Sequence, residues 1–214
     1  MVKIGIIVAT GNAGSAIYKE ATERGHEVTA IVRDADKAKE KLGENVSTII
    51  SDAFELTKDD LSGFDVIVNA FATSPDQAYL HVDLTARLVS FFRETESPRL
   101  FFILGAGSLR TEAGHLFIEE IKKAPNSEQW IAIPDNQRKQ LEFLKEVNNV
   151  NWVGISPGAT FQEGEKQEFI MGEDHILFNV KDESVTNAGT LAVAIVDEIE
   201  TNNYKRQRFT VINK

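Results

Sequence analysis

The sequence predicts an α/β fold: a doubly wound parallel sheet of about six to seven strands with helices on both faces. Three observations carry that expectation. The chain opens on a continuous β-branched run, Val2 to Val8, as in a strand covered on both faces. That run breaks into a loop of small residues, "ATGNAGS", and passes directly into a helical pattern. Strand-length apolar runs then alternate with helical ones to the end of the chain.

Taken in order, Ala13, Ile17 and Ala21 recur at helical spacing, with Lys19, Glu20 and Glu23 on other faces and Gly25 as a stop. Val28 to Val32 is a second strand, and "DADKAKEKLG" a short charged helix closed by Gly43. "VSTII", "FDVIVNAFA", "PRLFFILGAG" and "VNWVGISPG" read as the third to sixth strands, and "RFTVIN" as a seventh. Helical patterns cover Asp76 to Thr95, Asp135 to Val147 and Asn187 to Glu200. No repeat or Pro/Gly-rich linker divides residues 1–214, so one domain is expected. The least regular stretch runs from Pro157 to Ser184, and residues 157–185 are expected to form a small substrate-side lid.

Composition narrows the function classes. Asp plus Glu number 33 against 23 Lys plus Arg, a formal net charge of -10 that repels a phosphate backbone. A nucleic-acid surface is therefore not expected, although a local basic pocket for one small anion is compatible with this balance. With no cysteine, disulfides, thiolate metal sites and cysteine nucleophiles are excluded. No apolar run is long enough for a membrane span, and the first residues enter a strand pattern without a leader. A cytoplasmic protein is expected. His26, His81, His115 and His175 are scattered, with no metal-ligand spacing, so no metal is expected.

The loop after the first strand carries the chemistry. Strand, glycine turn, helix and strand are the context in which backbone N–H groups approach a pyrophosphate at the positive end of a helix. Gly11 and Gly14 supply the small residues, and Thr10, Asn12 and Ala13 complete the loop. Val8 stands where a dinucleotide loop has its first glycine. The alternative is a glycine turn kept only for packing.

"VATGNAGS" followed by "GHEVTAIVRD" resembles the atypical short-chain dehydrogenases. The similarity is nearest the NmrA-like branch that includes NADH-flavin reductase-like and biliverdin-IX-beta reductase-like proteins. It extends over nearly the whole chain through "SDAFE", "VIVNAFA", "LGAGSL", "RKQLE", "ISPG" and "FTVI". The resemblance implies a Rossmann-like domain with an NAD(P)H groove along the strand ends. It also implies roles for particular residues. Asp52 and Ala53 would lie on the adenine side, although Asp52 also fits a helix N-cap. Asn69, Ala70 and Phe71 would border the ribose and phosphates, with a core role open for Phe71. Gly105 would lie beside the cofactor at the end of the fifth strand. Ser108 and Leu109 would face the substrate, unless Ser108 bonds its own turn. Pro157, Gly158 and Ala159, extended by Thr160, would border the nicotinamide. Phe161 would be an aromatic wall for a flat substrate or a core residue.

The residue ending the second strand decides between the two nicotinamide cofactors. Val32 and Arg33 stand there, and a guanidinium can clasp a 2′-phosphate, so NADP(H) is expected over NAD(H). Arg33 could instead pair with Asp34 or Asp36 at the surface, and Asp34 as a ribose acid would favour NAD(H). The family's Tyr-x-x-x-Lys pair is missing. Tyr18, Tyr79 and Tyr204 are followed four residues later by Thr22, Asp83 and Arg208, and Lys139 has no tyrosine four residues before it. Alcohol–ketone chemistry is thereby disfavoured. Hydride transfer to a flat conjugated acceptor such as a flavin, as substrate rather than prosthetic group, needs no protein acid. Two alternatives stay open: a dinucleotide-binding redox sensor acting on a protein partner without turnover, and a quinone or small-carbonyl reductase.

Overall fold

The computed structural model describes residues Met1–Lys214. Strands β1 (Lys3–Ile7), β2 (Glu27–Val32), β3 (Ser47–Ile50), β4 (Val66–Asn69), β5 (Thr95–Ile103), β6 (Val150–Pro157), β8 (Phe169–Gly172) and β10 (Gln207–Asn213) form one sheet, ordered β3-β2-β1-β4-β5-β6-β10-β8. All pairings are parallel except β8 with β10. A second, two-stranded sheet joins β7 (Thr160–Gln162) to β9 (Val185–Asn187). The helices are α1 (Asn12–Glu23), α2 (Ala35–Leu42), α3 (Lys58–Leu61), α4 (Leu80–Phe91), α5 (Ile118–Ile121), α6 (Ala132–Lys145) and α7 (Ala188–Thr201).

Alternating side chains of each strand feed two separate cores. Ile4 and Ile6, Val66 and Val68, Phe101, Val153 and Ile155, and Phe209 and Val211 pack under α1 and α7. Their strand neighbours Ile7, Ile67, Leu100, Phe102 and Trp152 pack under α4 and α6. That double burial explains why the strands read as unbroken apolar runs rather than alternating ones. Gly5 makes room on the second face, because a side chain there would begin 3.0 Å from the Phe64 ring.

Three expectations need correction. The main sheet has eight strands, because Phe169–Gly172, inside the stretch read as irregular, pairs antiparallel with β10. The helix expected over Asp76 to Thr95 is a 3-10 turn at Pro75–Gln77 followed by α4, and Thr95 already belongs to β5. Proline suits the first turn of a helix, and Glu94 at φ 60 breaks the chain out of helical geometry. Helix α6 begins at Ala132, earlier than its apolar periodicity suggested.

A buried ion pair ties the N-terminal half of β5 to α7. Arg99 donates to the Glu198 carboxylate, to the Glu198 carbonyl at 3.0 Å and to the Tyr204 carbonyl. Glu198 also accepts the N–H groups of Asn203 and Tyr204 at 3.1 and 2.9 Å. Removing one partner leaves a buried charge unpaired, so Arg99→Met should lower unfolding free energy by about 3–5 kcal/mol in urea titrations. The double variant Arg99→Met/Glu198→Leu should recover part of that loss. A single variant within about 0.5 kcal/mol of wild type would contradict this account.

Candidate functional site

Strand order reverses at β1, which lies between β2 and β4, and such a switch point opens a crevice at the C-terminal strand ends. A groove of about 680 Å³ lies there, lined by residues that include Val8, Thr10, Gly11, Arg33, Asp52, Ala53 and Phe71. Six residues that the sequence assigns to the cofactor, Thr10, Gly11, Arg33, Asp52, Ala53 and Phe71, line this one groove together with Val8. In sheet order, Asp52 follows β3, Arg33 follows β2, Gly11 follows β1, Asn69 ends β4 and Gly105 follows β5. β2 and β5 are three strands apart, about 14 Å at ordinary spacing.

The turn out of β1 is unusual. Val8 has φ 61, the left-handed region in which a β-branched residue is rare. Its N–H continues the ladder to the Ile31 carbonyl at 3.0 Å, and its own carbonyl accepts the Gly11 N–H at 3.1 Å. A Cβ at Gly14 would sit 2.4 Å from that carbonyl and 2.8 Å from the Ala9 Cα, so Gly14 is the close-approach residue between helix and strand. Gly11, with φ -76, caps α1 without any side-chain hydrogen bond. The N–H groups of Asn12, Ala13 and Gly14, the first turn of α1, have no partner within the protein.

The polar residues around the groove differ in how free they are. Asp34 accepts the N–H groups of Asp36 and Lys37, both at 3.0 Å, and so caps α2. Arg33 is 82% exposed, and its nearest carboxylate is Asp52 at 3.9 Å rather than Asp34 or Asp36. Lys37 lines the same groove, and Lys41 donates to the Thr10 carbonyl at 3.3 Å. The sequence reading missed both lysines, since they sit in a helix that reads as a solvated surface element. Asp52 caps a turn rather than a helix, accepting the Phe54 N–H at 2.9 Å. Asn69 does the same for Phe71 at 3.1 Å, and Ala70 is buried beside it.

Phe71 meets Phe54 and His81 edge-on, with ring centroids 5.9 and 5.4 Å apart. His81 is buried, its Nε2 has no partner, and burial pushes its pKa down to about 4. The imidazole is therefore neutral and serves as an apolar backing for Phe71.

At the other end of the strip the structure departs from expectation. Ser108 is buried, donates to the Gly105 carbonyl at 3.1 Å and accepts from Arg208 at 3.1 Å. Ser156 bonds the same carbonyl at 3.2 Å and the same guanidinium at 3.1 Å. Ser108 is thus a structural hydroxyl in an Arg208-centred network. Leu109 is fully buried against Ala106 and Ile176 and faces no substrate. Pro157 and Gly158 are buried, with the Gly158 N–H spent on Thr186 at 2.8 Å and that of exposed Ala159 on Ser184 at 3.0 Å. Phe161 is 36% exposed on β7, outside the core. Lys139 pairs with Asp135, one helical turn earlier, at 2.9 Å. Burial works against ionisation of Asp135, but Lys139 and Arg138 outweigh it and hold the carboxyl below its usual range. No tyrosine hydroxyl or neutral carboxylic acid occupies the position of the missing acid.

A larger recess of about 1010 Å³ lies between α1, the end of α2 and residues 163–166. Its wall mixes Glu20, Glu23, Glu163 and Glu165 with Lys19, Lys41 and Lys166, and Lys166 bonds Glu20 at 3.0 Å across it. It runs along the flank of α1 and reaches the first turn of that helix at Asn12.

Two predictions follow from the strained turn and the buried imidazole. Relief of left-handed strain is worth about 1–2 kcal/mol and the added chain entropy of glycine costs about 0.5–1 kcal/mol. Because the variant also gives up the packing of the half-buried Val8 side chain against the core, Val8→Gly should unfold at nearly the same denaturant as wild type, and a loss of more than about 1 kcal/mol would contradict the strain. His81 takes up its proton near 6.5 when unfolded and near 4 when folded. The unfolded state binds it first on acidification, so stability should fall as pH drops from 6.5 towards 4. The melting temperature of wild type minus that of His81→Leu should fall steadily as pH drops through that window; a constant difference would refute it.

Comparison with known proteins accords with this geometry. Residues 9–206 match the model of a family described as NAD(P)H-binding. The chain is 38% identical over 215 residues to YwnB of Bacillus subtilis (strain 168), covering 99% of each. A Lactobacillus casei protein superposes with a TM-score of 0.91 at 36% identity, covering 99% of each chain. SP1627 of Streptococcus pneumoniae TIGR4, described as a candidate NADH-flavin reductase, superposes with a TM-score of 0.89 at 34% identity, covering 100% of each. The chain belongs to the NAD(P)H-binding family of atypical, NmrA-like short-chain dehydrogenases.

Proposed function

We propose that the protein is an NADP(H)-dependent reductase that delivers hydride to a flat, conjugated acceptor such as a flavin, taken as substrate. The observation carrying this reading is a row of strand ends that offers anion-binding groups beside β1 and β2 and no acid–base pair beside β5 and β6. The unpartnered N–H groups of Asn12, Ala13 and Gly14, with the helix dipole behind them, suit a pyrophosphate. Gly11 keeps the approach open, and Asn69 and Ala70 keep the neighbouring strand end low. Arg33 and Lys37 flank the end of β2, where a ribose 2′-phosphate would be clasped. Asp34, the acid that would favour NAD(H), has its carboxylate engaged with the first turn of α2.

A bound reduced nicotinamide supplies the hydride. The chain's part is to hold donor and acceptor in register and to exclude bulk water, which suffices when the acceptor's own ring takes the electrons and solvent the proton. Ser108 is committed to Gly105 and Arg208, and Asp135 is ionised, so neither donates a proton. Residues 157–185 are the candidate acceptor-side cover, with Phe161 exposed on it. SP1627 carries the name of the same activity, which supports the choice of acceptor.

Calorimetric titration with NADPH and NADH, on wild type and Arg33→Ala, tests the cofactor. Loss of one charge-assisted contact to phosphate should weaken NADPH about tenfold and leave NADH nearly unchanged. Equal losses would remove Arg33 from the site. Steady NADPH oxidation that depends on added riboflavin tests the reaction; tight NADPH binding without turnover of any acceptor would favour the sensor.

A further inference from the structure

Gly105 needs no special backbone angle, since its φ is -114, yet it has no room for a side chain. A Cβ there would lie 2.3 Å from Oε1 of Gln137 and 3.2 Å from its Cδ, so the Gln137 amide rests directly against the end of β5. The helix that carries it is held in place: Gly107 packs 3.2 Å from the Pro134 carbonyl by the same measure, and Gln140 donates to Thr85 at 2.8 Å across to α4. The polar neighbours of Gln137 on α6 are committed elsewhere. Asn136 bonds the Ala132 carbonyl at 2.8 Å, Arg138 bonds Asp135 and Glu142, and Lys139 bonds Asp135. The Gln137 side chain makes no hydrogen bond within the protein, although it is partly buried. It therefore presents an unspent donor and an unspent acceptor side by side at the end of β5, a strand about 14 Å across the sheet from β2.

We propose that Gln137 determines acceptor specificity by pairing with a cyclic imide or lactam edge of the acceptor. Its carbonyl accepts the ring N–H and its NH₂ donates to the adjacent ring carbonyl. This inference rests on the reductase reading above and narrows its substrate class to flat conjugated rings that carry an N–H beside a C=O. A flavin has that edge in its pyrimidine ring, whereas a simple quinone offers carbonyls alone. Partial burial strengthens such a two-point pairing and penalises an acceptor that leaves one amide group unpaired.

The test is steady-state NADPH oxidation by the full chain with riboflavin, N3-methylriboflavin and menadione, for wild type, Gln137→Met and Gln137→Ala. Methionine keeps the length of the side chain without its amide, and thermal unfolding confirms that each variant is folded. Loss of the pairing should raise KM for riboflavin about tenfold in both variants, and leave kcat/KM for menadione and KM for NADPH within about twofold. Wild type should discriminate against the N3-methyl compound by a similar factor, and the variants should not. That second comparison uses the unaltered protein and survives a variant that fails to fold. Equal effects on riboflavin and menadione, or none on either, would overturn the proposal. A raised KM for NADPH would reassign Gln137 to the cofactor and overturn it as well. Wild-type turnover of menadione but not riboflavin would overturn the imide pairing and leave the reductase reading standing; turnover of neither would overturn both.

Discussion

The carbonyl of Val8 lies where a side chain on Gly14 would have to begin, and it accepts the N–H of Gly11. That contact sets how closely α1 descends on the end of β1. It also decides which amide groups remain over: Gly11 is satisfied, while Asn12, Ala13 and Gly14 are not. The left-handed backbone at Val8 is what turns the carbonyl towards the helix, so local strain and helix placement are one feature. Thr10, reached by Lys41, and Phe71, backed by neutral His81, are then arranged around the same opening.

From that turn the strand ends follow one another in sheet order, and their chemistry changes along the way. The β2 end is rich in exposed cations that solvent screens when no anion is bound. The β5 end is tightly packed: Ser108, Ser156 and Arg208 share one hydrogen-bond network, and Asp174 extends it to the segment following β8. Burial disfavours the charge on Asp174, but Arg208 more than compensates and keeps the carboxylate ionised. A rigid, proton-poor end suits positioning better than acid–base work.

Much of this was legible in the sequence, and for identifiable reasons. The β-branched runs and the small-residue loop report double burial and close helix approach, constraints that act on each residue locally. Arg33 and Asp52 could be placed because each stands within two residues of a strand end, and Thr10 and Gly11 because they belong to the small-residue loop that links β1 to α1. Ser108 and Leu109 could not, since whether a residue five or six positions past a strand points outward depends on the 3-10 turn at Ala106–Ser108 and on Arg208, 100 residues away. Lys37, which lines the groove, and Gln137, which rests against Gly105, were missed for a related reason: both lie inside helices, where only the packed orientation tells such a side chain from a solvated one. β8 went unread because its four residues, Phe169–Gly172, sit among charged and glycine-rich neighbours and gain their pairing only from β10.

The central claim is that the first turn of α1, held open by the Val8 carbonyl, receives the phosphates of a nicotinamide dinucleotide. Backbone amide chemical shifts, recorded as NADP+ is titrated into the labelled protein, test it most directly. The account predicts the largest shifts at Asn12, Ala13 and Gly14, with Arg33 and Lys37 responding at the other side of the groove. Saturable binding that leaves those amides unmoved, or that shifts the outer flank of α1 around Lys19 and Glu23 instead, would contradict it.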